Sequence, residues 1–264
     1  PPCGLAHAPK VAAIQVVANI LINNDFITFS YDGTCYHGWQ VQPNAATVQE
    51  RLNDALSKLL PTPTECVGAG RTDAGVHASK MVAHFDTEQS LDVEQFSFRL
   101  NRILPEDIAV DGVKQVDDDL HARFSAIRRT YHYFVYTKKN PYRRHYAHRL
   151  TFVPDYELMN QAAALLLDAE DFTSFSKLNN DQKTNICDVQ HARWVQIEED
   201  YWRFEITANR FLRNMVRAVV GTLLEVGRGR MSIDEFRKVI EVQNRCSAGE
   251  SVAANALFLV DVQY

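Results

Sequence analysis

Gly68-Ala69-Gly70-Arg71-Thr72-Asp73-Ala74-Gly75-Val76-His77-Ala78 decides how this chain is read. Three glycines enclose one arginine and one aspartate, directly after the short apolar run Cys66-Val67. Glycine tolerates φ > 0 and admits close backbone approach, so this density marks a tightly specified loop. The Arg71-x-Asp73 pair inside it has two readings, an ion pair that pins the loop or a carboxylate used for chemistry. A dinucleotide fingerprint fails, because Asp73 stands where the third glycine would and no helix pattern begins there. A metal site also fails: Asp73 and His77 are four apart, but Gly75 between them disfavours a ligand-bearing helix. Neither a P-loop nor a Gly-x-Ser-x-Gly elbow occurs.

Outward from the loop, periodicity gives the elements. Phe26 to Tyr31 alternates as a strand and ends at the turn pair Asp32-Gly33. Thr47-Val48-Gln49-Glu50 has capping-box spacing ahead of the helical set Val48, Leu52, Ala55, Leu56 and Leu59. Thr64 to Val67 and Met81 to Phe85 are strands on either side of the glycine loop. Asp92 opens a helix carrying Phe96, Leu100 and Ile103, and Ile108 to Val116 is a strand. The order strand, helix, strand, strand, helix, strand is that of a split βαβ unit. A second cycle follows: strands at Arg129 to Thr137, Ile186 to Ile197 and Tyr201 to Ala208, a helix opened by Asp155, and a last strand at Leu257 to Val262. A helix is expected over Phe211 to Val226, with Arg210, Arg213 and Arg217 three and four apart on one face. The expected fold class is therefore α+β, built from two similar halves. Residues 1–25 read as an upstream extension, 26–119 as the half carrying the glycine loop, and 120–264 as the second half, with the boundary near Asp117-Asp118-Asp119.

At 264 residues and 46% hydrophobic content the chain can bury a proper core. Its five cysteines are dispersed, which fits a reducing cytosol better than a disulfide framework. No apolar run approaches the length of a membrane span, and Val11 to Ile22 imitates a signal segment without a cleavage site. The net charge of −5 argues at first against a nucleic-acid partner. Its distribution argues the other way. From His121 to Leu150 there are eight Lys or Arg and no acid, and Ile206 to Leu224 carries three arginines and no acid. Such segregation fits either a basic groove on an acidic body or two solvated faces.

The glycine loop, with Tyr36-His37-Gly38-Trp39-Gln40 and His121-Ala122-Arg123-Phe124-Ser125-Ala126, closely resembles the tRNA pseudouridine synthase A family. Further matching pieces are Leu104-Pro105-Glu106-Asp107-Ile108, Tyr131-His132-Tyr133, Asp171-Phe172-Thr173-Ser174-Phe175, and Met215-Val216-Arg217 leading to Val220-Gly221-Thr222-Leu223. They run in order from Phe26 to Tyr264. Two departures are visible: Ala253-Ala254-Asn255-Ala256-Leu257 lacks the proline and glycine frequent before the last strand, and residues 1–25 have no counterpart.

The resemblance implies an isomerase that turns uridine into pseudouridine in the anticodon stem-loop of tRNA, without cofactor or metal. It implies two similar α/β subdomains with mainly antiparallel sheets around a central RNA-binding cleft, and a cytoplasmic homodimer. It makes Asp73 the nucleophile, Arg71 its neighbouring arginine, and Tyr131 the base-stacking tyrosine. Candidates for the RNA backbone, by charge alone, are Arg123, Arg213 and Arg217, with Arg128, Arg129 and Arg210. The readings left beside it are a synthase for another RNA, an RNA-binding protein without chemistry, and a nucleotide-cofactor enzyme built on Gly68-Ala69-Gly70.

Overall fold

A computed structural model describes residues 23–177 and 184–264. Within them the chain runs β1 (Asn23–Tyr31), α1 (Val48–Leu59), β2 (Val67–Gly68), β3 (His77–Thr87), α2 (Val93–Ile103), β4 (Ile108–Val116), β5 (Arg128–Tyr136) and β6 (His148–Arg149). It continues through α3 (Tyr156–Ala164), β7 (Val189–Glu198), β8 (Tyr201–Ala208), α4 (Met215–Gly227), α5 (Ile233–Glu241) and β9 (Leu257–Gln263). The strands form one sheet in the order β4-β1-β3-β9-β5-β8-β7, with β2 added to β3 and β6 to β5. Pairing is antiparallel except at β3–β9 and β5–β6. This is the mixed, mainly antiparallel α+β architecture that the element order anticipates.

The seam between β3 and β9 matters most for the site. It consists of two register pairs, His77↔Phe258 and Ala78↔Leu259. Strands on the β3 side all precede residue 119 and those on the β9 side all follow it. The end of the glycine loop thus meets the start of the last strand. β1 is central, flanked by β4 and β3, which explains why Phe26, Ile27 and Phe29 are buried almost in succession instead of alternating.

The helices follow their capping signals. Thr47 accepts a hydrogen bond from the Glu50 amide, Asp92 from Gln95 and Asp155 from Leu158, each filling an orphan donor of a first turn. Ser232 and Glu235 form a complete capping box on α5. α1 and α2 pack together, with α2 on β4; α3, α4 and α5 pack together, with α3 on β7. α4 is buried nearly all round, as a helix inside a helical layer must be. Among the described residues no helix is long and apolar enough to cross a membrane.

Several boundaries differ from expectation. Asn23, Asn24 and Asp25, assigned to the extension, belong to β1; residues 1–22 of that extension lie outside the described residues. The strand expected at Thr64 to Val67 is the short β2, and the one expected from Met81 starts four residues earlier, so His77 is already in β3. Ile186 makes only an isolated bridge to Asp171, and β7 begins at Val189. α4 begins at Met215, not Phe211, because Asn214 takes a left-handed conformation at φ 68° that stops helical propagation toward the N-terminus. Arg210 and Arg213 therefore precede the helix, and the expected shared helical face of three arginines does not form.

Candidate active site

Residues 69–76 connect β2 to β3. The connection opens with Ala69 donating to Val82 O (2.8 Å) and closes with a turn in which the Val76 amide donates to Asp73 O (3.1 Å). Gly75, third residue of that turn, sits at φ 76°, which a side chain would oppose. The loop lies on the aromatic segment Tyr36–Gln40: Trp39 donates to Thr72 O (3.2 Å) and Gly75 to Tyr36 O (3.2 Å). Gly38, at φ 91°, brings its backbone so close that a Cβ would collide with Thr72 O. Much of the demand for glycine thus lies in the facing segment. Gly70 has open space around its missing Cβ.

Asp73 projects from this loop with its side chain 28% exposed, so its carboxylate is reachable. Two arginines flank it. Arg217 Nη1, from α4, lies 3.4 Å from Oδ2, and Arg213 Nε lies 3.9 Å from Oδ1. Arg71, expected to pair with Asp73, is exposed and has no hydrogen-bond or ion-pair partner among the described residues. The ion pair that the Arg-x-Asp spacing suggested is made instead by arginines from the other side of the seam. Two residues apart in an irregular loop, Arg71 and Asp73 need not face each other.

Arg217 is itself anchored. Its Nε donates to Val252 O (2.7 Å), and the Val252 amide donates back to Arg217 O (3.2 Å). The segment that receives it presses on α4 where Gly221 leaves room; a Cβ there would collide with Glu250 O. Thr222 Oγ1 accepts from the Gly249 amide (3.0 Å).

Tyr131, on β5, is buried, with its ring edge-on to Phe211 at 5.0 Å. Burial pushes its hydroxyl up to about 12; the Arg129 guanidinium acts against this and the Asp73 carboxylate adds to it. The Asp73 carboxylate is thus close enough for its charge to act on the tyrosine hydroxyl. Tyr31 supports the loop from below through a buried 2.8 Å hydrogen bond to Thr72 Oγ1, and burial raises its hydroxyl too.

Arg129 changes role. Its guanidinium donates to four carbonyls: Ala126 O and Asn209 O (2.8 Å each), Ala69 O (2.9 Å) and Arg123 O (2.6 Å). It is a staple between the glycine loop and the second half, with no fork left for RNA. Arg123 and Arg128 remain exposed. Arg143 and Lys138, counted in the basic stretch, pair with Glu198, Asp200 and Glu199.

His77 closes the loop and carries no exposed chemistry. Nδ1 accepts from the Gly33 amide (3.0 Å), and Nε2 lies 3.2 Å from Asn255 O, to which it donates. That pattern requires the neutral Nε2–H tautomer, and burial lowers the ring's pKa in agreement. Asp32 Oδ1 is also 3.0 Å from Nδ1, but an ionic bond would need a proton where the Gly33 N–H already points. Asn255 further reaches Arg144 O and His145 O (3.3 Å each), so the atypical Ala253–Leu257 segment is tied into the site. Residue spacing gave no signal for Tyr31, Asn255 or the Arg129 staple, since each joins segments far apart in the chain: Tyr31 meets Thr72 within the first half, while Asn255 and Arg129 reach across the seam. No group of three or more His, Cys, Asp or Glu among the described residues is placed to hold a metal ion.

A family model described as tRNA pseudouridine synthase matches residues 27–125 and 162–264. The tRNA pseudouridine synthase A of Bacteroides fragilis is 58% identical over 240 residues, covering 90% of this chain and 95% of that protein. That of Porphyromonas gingivalis is 50% identical over 242 residues, covering 90% and 96%. The Bacillus subtilis protein of the same name is 40% identical over 241 residues, covering 90% and 97%. The matched segments contain the glycine loop, Arg213, Arg217 and the seam strand β9, and the chain belongs to the tRNA pseudouridine synthase family.

Proposed function

We propose that the protein isomerises uridine to pseudouridine in the anticodon stem-loop of tRNA, with Asp73 as the nucleophile. The observation that carries this reading is a reachable carboxylate held between Arg213 and Arg217 beside a buried tyrosine. The Asp73 carboxylate attacks C1′ of the target uridine as the N1–C1′ bond breaks and the uracil leaves with that electron pair. The base turns about its ring, and C5 attacks C1′, expelling the carboxylate. C5 then loses its proton and N1 gains one, so product and substrate have the same atoms. Arg217 keeps the carboxylate aimed, and Tyr131 presents its ring to the displaced base.

Extruding a base costs on the order of a few kcal/mol, and an aromatic platform returns roughly 1–3 kcal/mol. Arg71, exposed and without a partner among the described residues, suits a phosphate, as its fork geometry allows. Arg123 and Arg213 extend that phosphate track. The two subdomains are 23–119 and 120–264, divided at the β3–β9 seam, and the protein works in the cytoplasm as a homodimer with tRNA across both subunits. The reading is tested by incubating the protein with unmodified tRNA and mapping pseudouridine by chemical probing. Product confined to the anticodon stem-loop supports it; product elsewhere, or none, removes the assigned target.

A further inference from the structure

Phe124 leaves most of its surface, 76%, in solvent. Single exposed apolar residues are ordinary, so exposure alone decides nothing. Its setting is not ordinary. The Phe124 amide donates to His121 Nδ1 (3.3 Å), and its ring lies 4.4 Å from the His121 ring, which rests 4.5 Å from His84. The phenyl ring thus packs against the His121 imidazole, which is itself seated on His84 of β3. The backbone before it is fastened as well: Arg123 O takes a hydrogen bond from the same Arg129 nitrogen that holds Ala69 O of the glycine loop. The aromatic ring is therefore fixed in register with the loop that carries Asp73.

Charge completes the picture. The Arg123 guanidinium lies 5.6 Å from the Phe124 ring centre, and neither Arg123 nor Arg128 has an acidic partner among the described residues. An exposed, backbone-anchored aromatic ring beside a cation without an acidic partner is how proteins hold unpaired RNA bases, by stacking with phosphate contacts alongside.

We infer that Phe124 is a stacking platform for an unpaired nucleotide of the RNA, distinct from the target base that meets Tyr131. The inference rests on the proposed RNA-modifying function and extends it. The substrate must present a second unstacked base near the target, which a loop supplies and a continuous duplex does not.

The test uses the full chain as Phe124→Ala, Phe124→Tyr and Phe124→Trp variants with unmodified tRNA. Phe124→Ala is expected to weaken tRNA affinity about ten-fold and Phe124→Tyr to change it by less than about two-fold, since every aromatic face stacks. Tryptophan emission of Phe124→Trp, after subtraction of the signal from the three native tryptophans, is expected to be quenched by tRNA and unaffected by a fully paired RNA. Wild-type affinity in Phe124→Ala, or equal quenching by paired RNA, overturns the inference. So does a Phe124→Ala protein whose oligomeric state changes while tRNA affinity does not, which would make the ring a protein contact. Absence of pseudouridine with the wild-type protein defeats the functional reading instead, while the quenching experiment still reports on the platform.

Discussion

Arg217 Nη1 lies 3.4 Å from Asp73 Oδ2, across 144 residues of chain, while Arg217 Nε holds Val252 O. One guanidinium therefore aims the reactive carboxylate and ties down the segment before β9. A lysine has a single donor nitrogen in place of the spread, planar fork that here uses Nε for one acceptor and Nη1 for the other. Arg217→Lys and Arg217→Ala are expected to lower kcat by about 100-fold through misplacement of the carboxylate. Affinity for tRNA, measured by filter binding, is expected to stay within a few-fold. Loss confined to affinity with kcat intact would move Arg217 from positioning to RNA binding.

Arg129 stands two residues before Tyr131 and bonds four carbonyls, so its removal strands acceptors in a half-buried place. Arg129→Met is expected to cost about 3 kcal/mol, a fall in Tm of roughly 5–10 °C by calorimetry. An unchanged Tm would show that the four bonds are individually replaceable by water.

Acid should destabilise the fold in a defined window. Burial holds His77, His84, His132 and His148 below their ordinary value of 6.5. The unfolded chain then binds more protons than the folded one below that pH, so stability falls as pH drops through and below about 6.5. Asp25 acts in the opposite sense. It is buried in β1 with Oδ2 unpartnered among the described residues, and burial, with Asp86 nearby, raises it to about 6. Its folded value lies above its unfolded one, so its contribution is present below the unfolded value and lost as pH rises through about 6. Asp25→Asn is accordingly expected to stabilise the protein above about pH 6 and to make no difference below about pH 4. Urea unfolding of both proteins across pH 4 to 8 checks this; destabilisation by Asp25→Asn at neutral pH would contradict it.

What the sequence reveals about this protein divides along local and non-local lines. Capping residues Thr47, Asp92, Asp155 and Ser232 announce helix starts because a cap acts within four residues. The alternation in Tyr131–Val135 marks β5 for the same reason. The glycine loop shows in composition, but which glycines are strained does not, since that depends on the segment facing them. Charge patterning placed Arg123, Arg129, Arg213 and Arg217 together, and only the fold separates Arg129, consumed by carbonyls, from Arg217, set against Asp73. The helix start at Met215 is not legible in the sequence because the apolar period runs on through Phe211 and Leu212, and only the backbone of Asn214 breaks it. The role of His77 has no local sign, because its partners Gly33 and Asn255 come from distant parts of the chain.

The central claim is that Asp73 performs the chemistry. Its most direct test compares wild-type protein and Asp73→Asn on one unmodified tRNA, with pseudouridine mapped by chemical probing and tRNA affinity measured in parallel. The account expects wild type to form pseudouridine in the anticodon stem-loop, and Asp73→Asn to form none while binding tRNA within a few-fold of wild type. Pseudouridine produced by Asp73→Asn at the wild-type rate would contradict it.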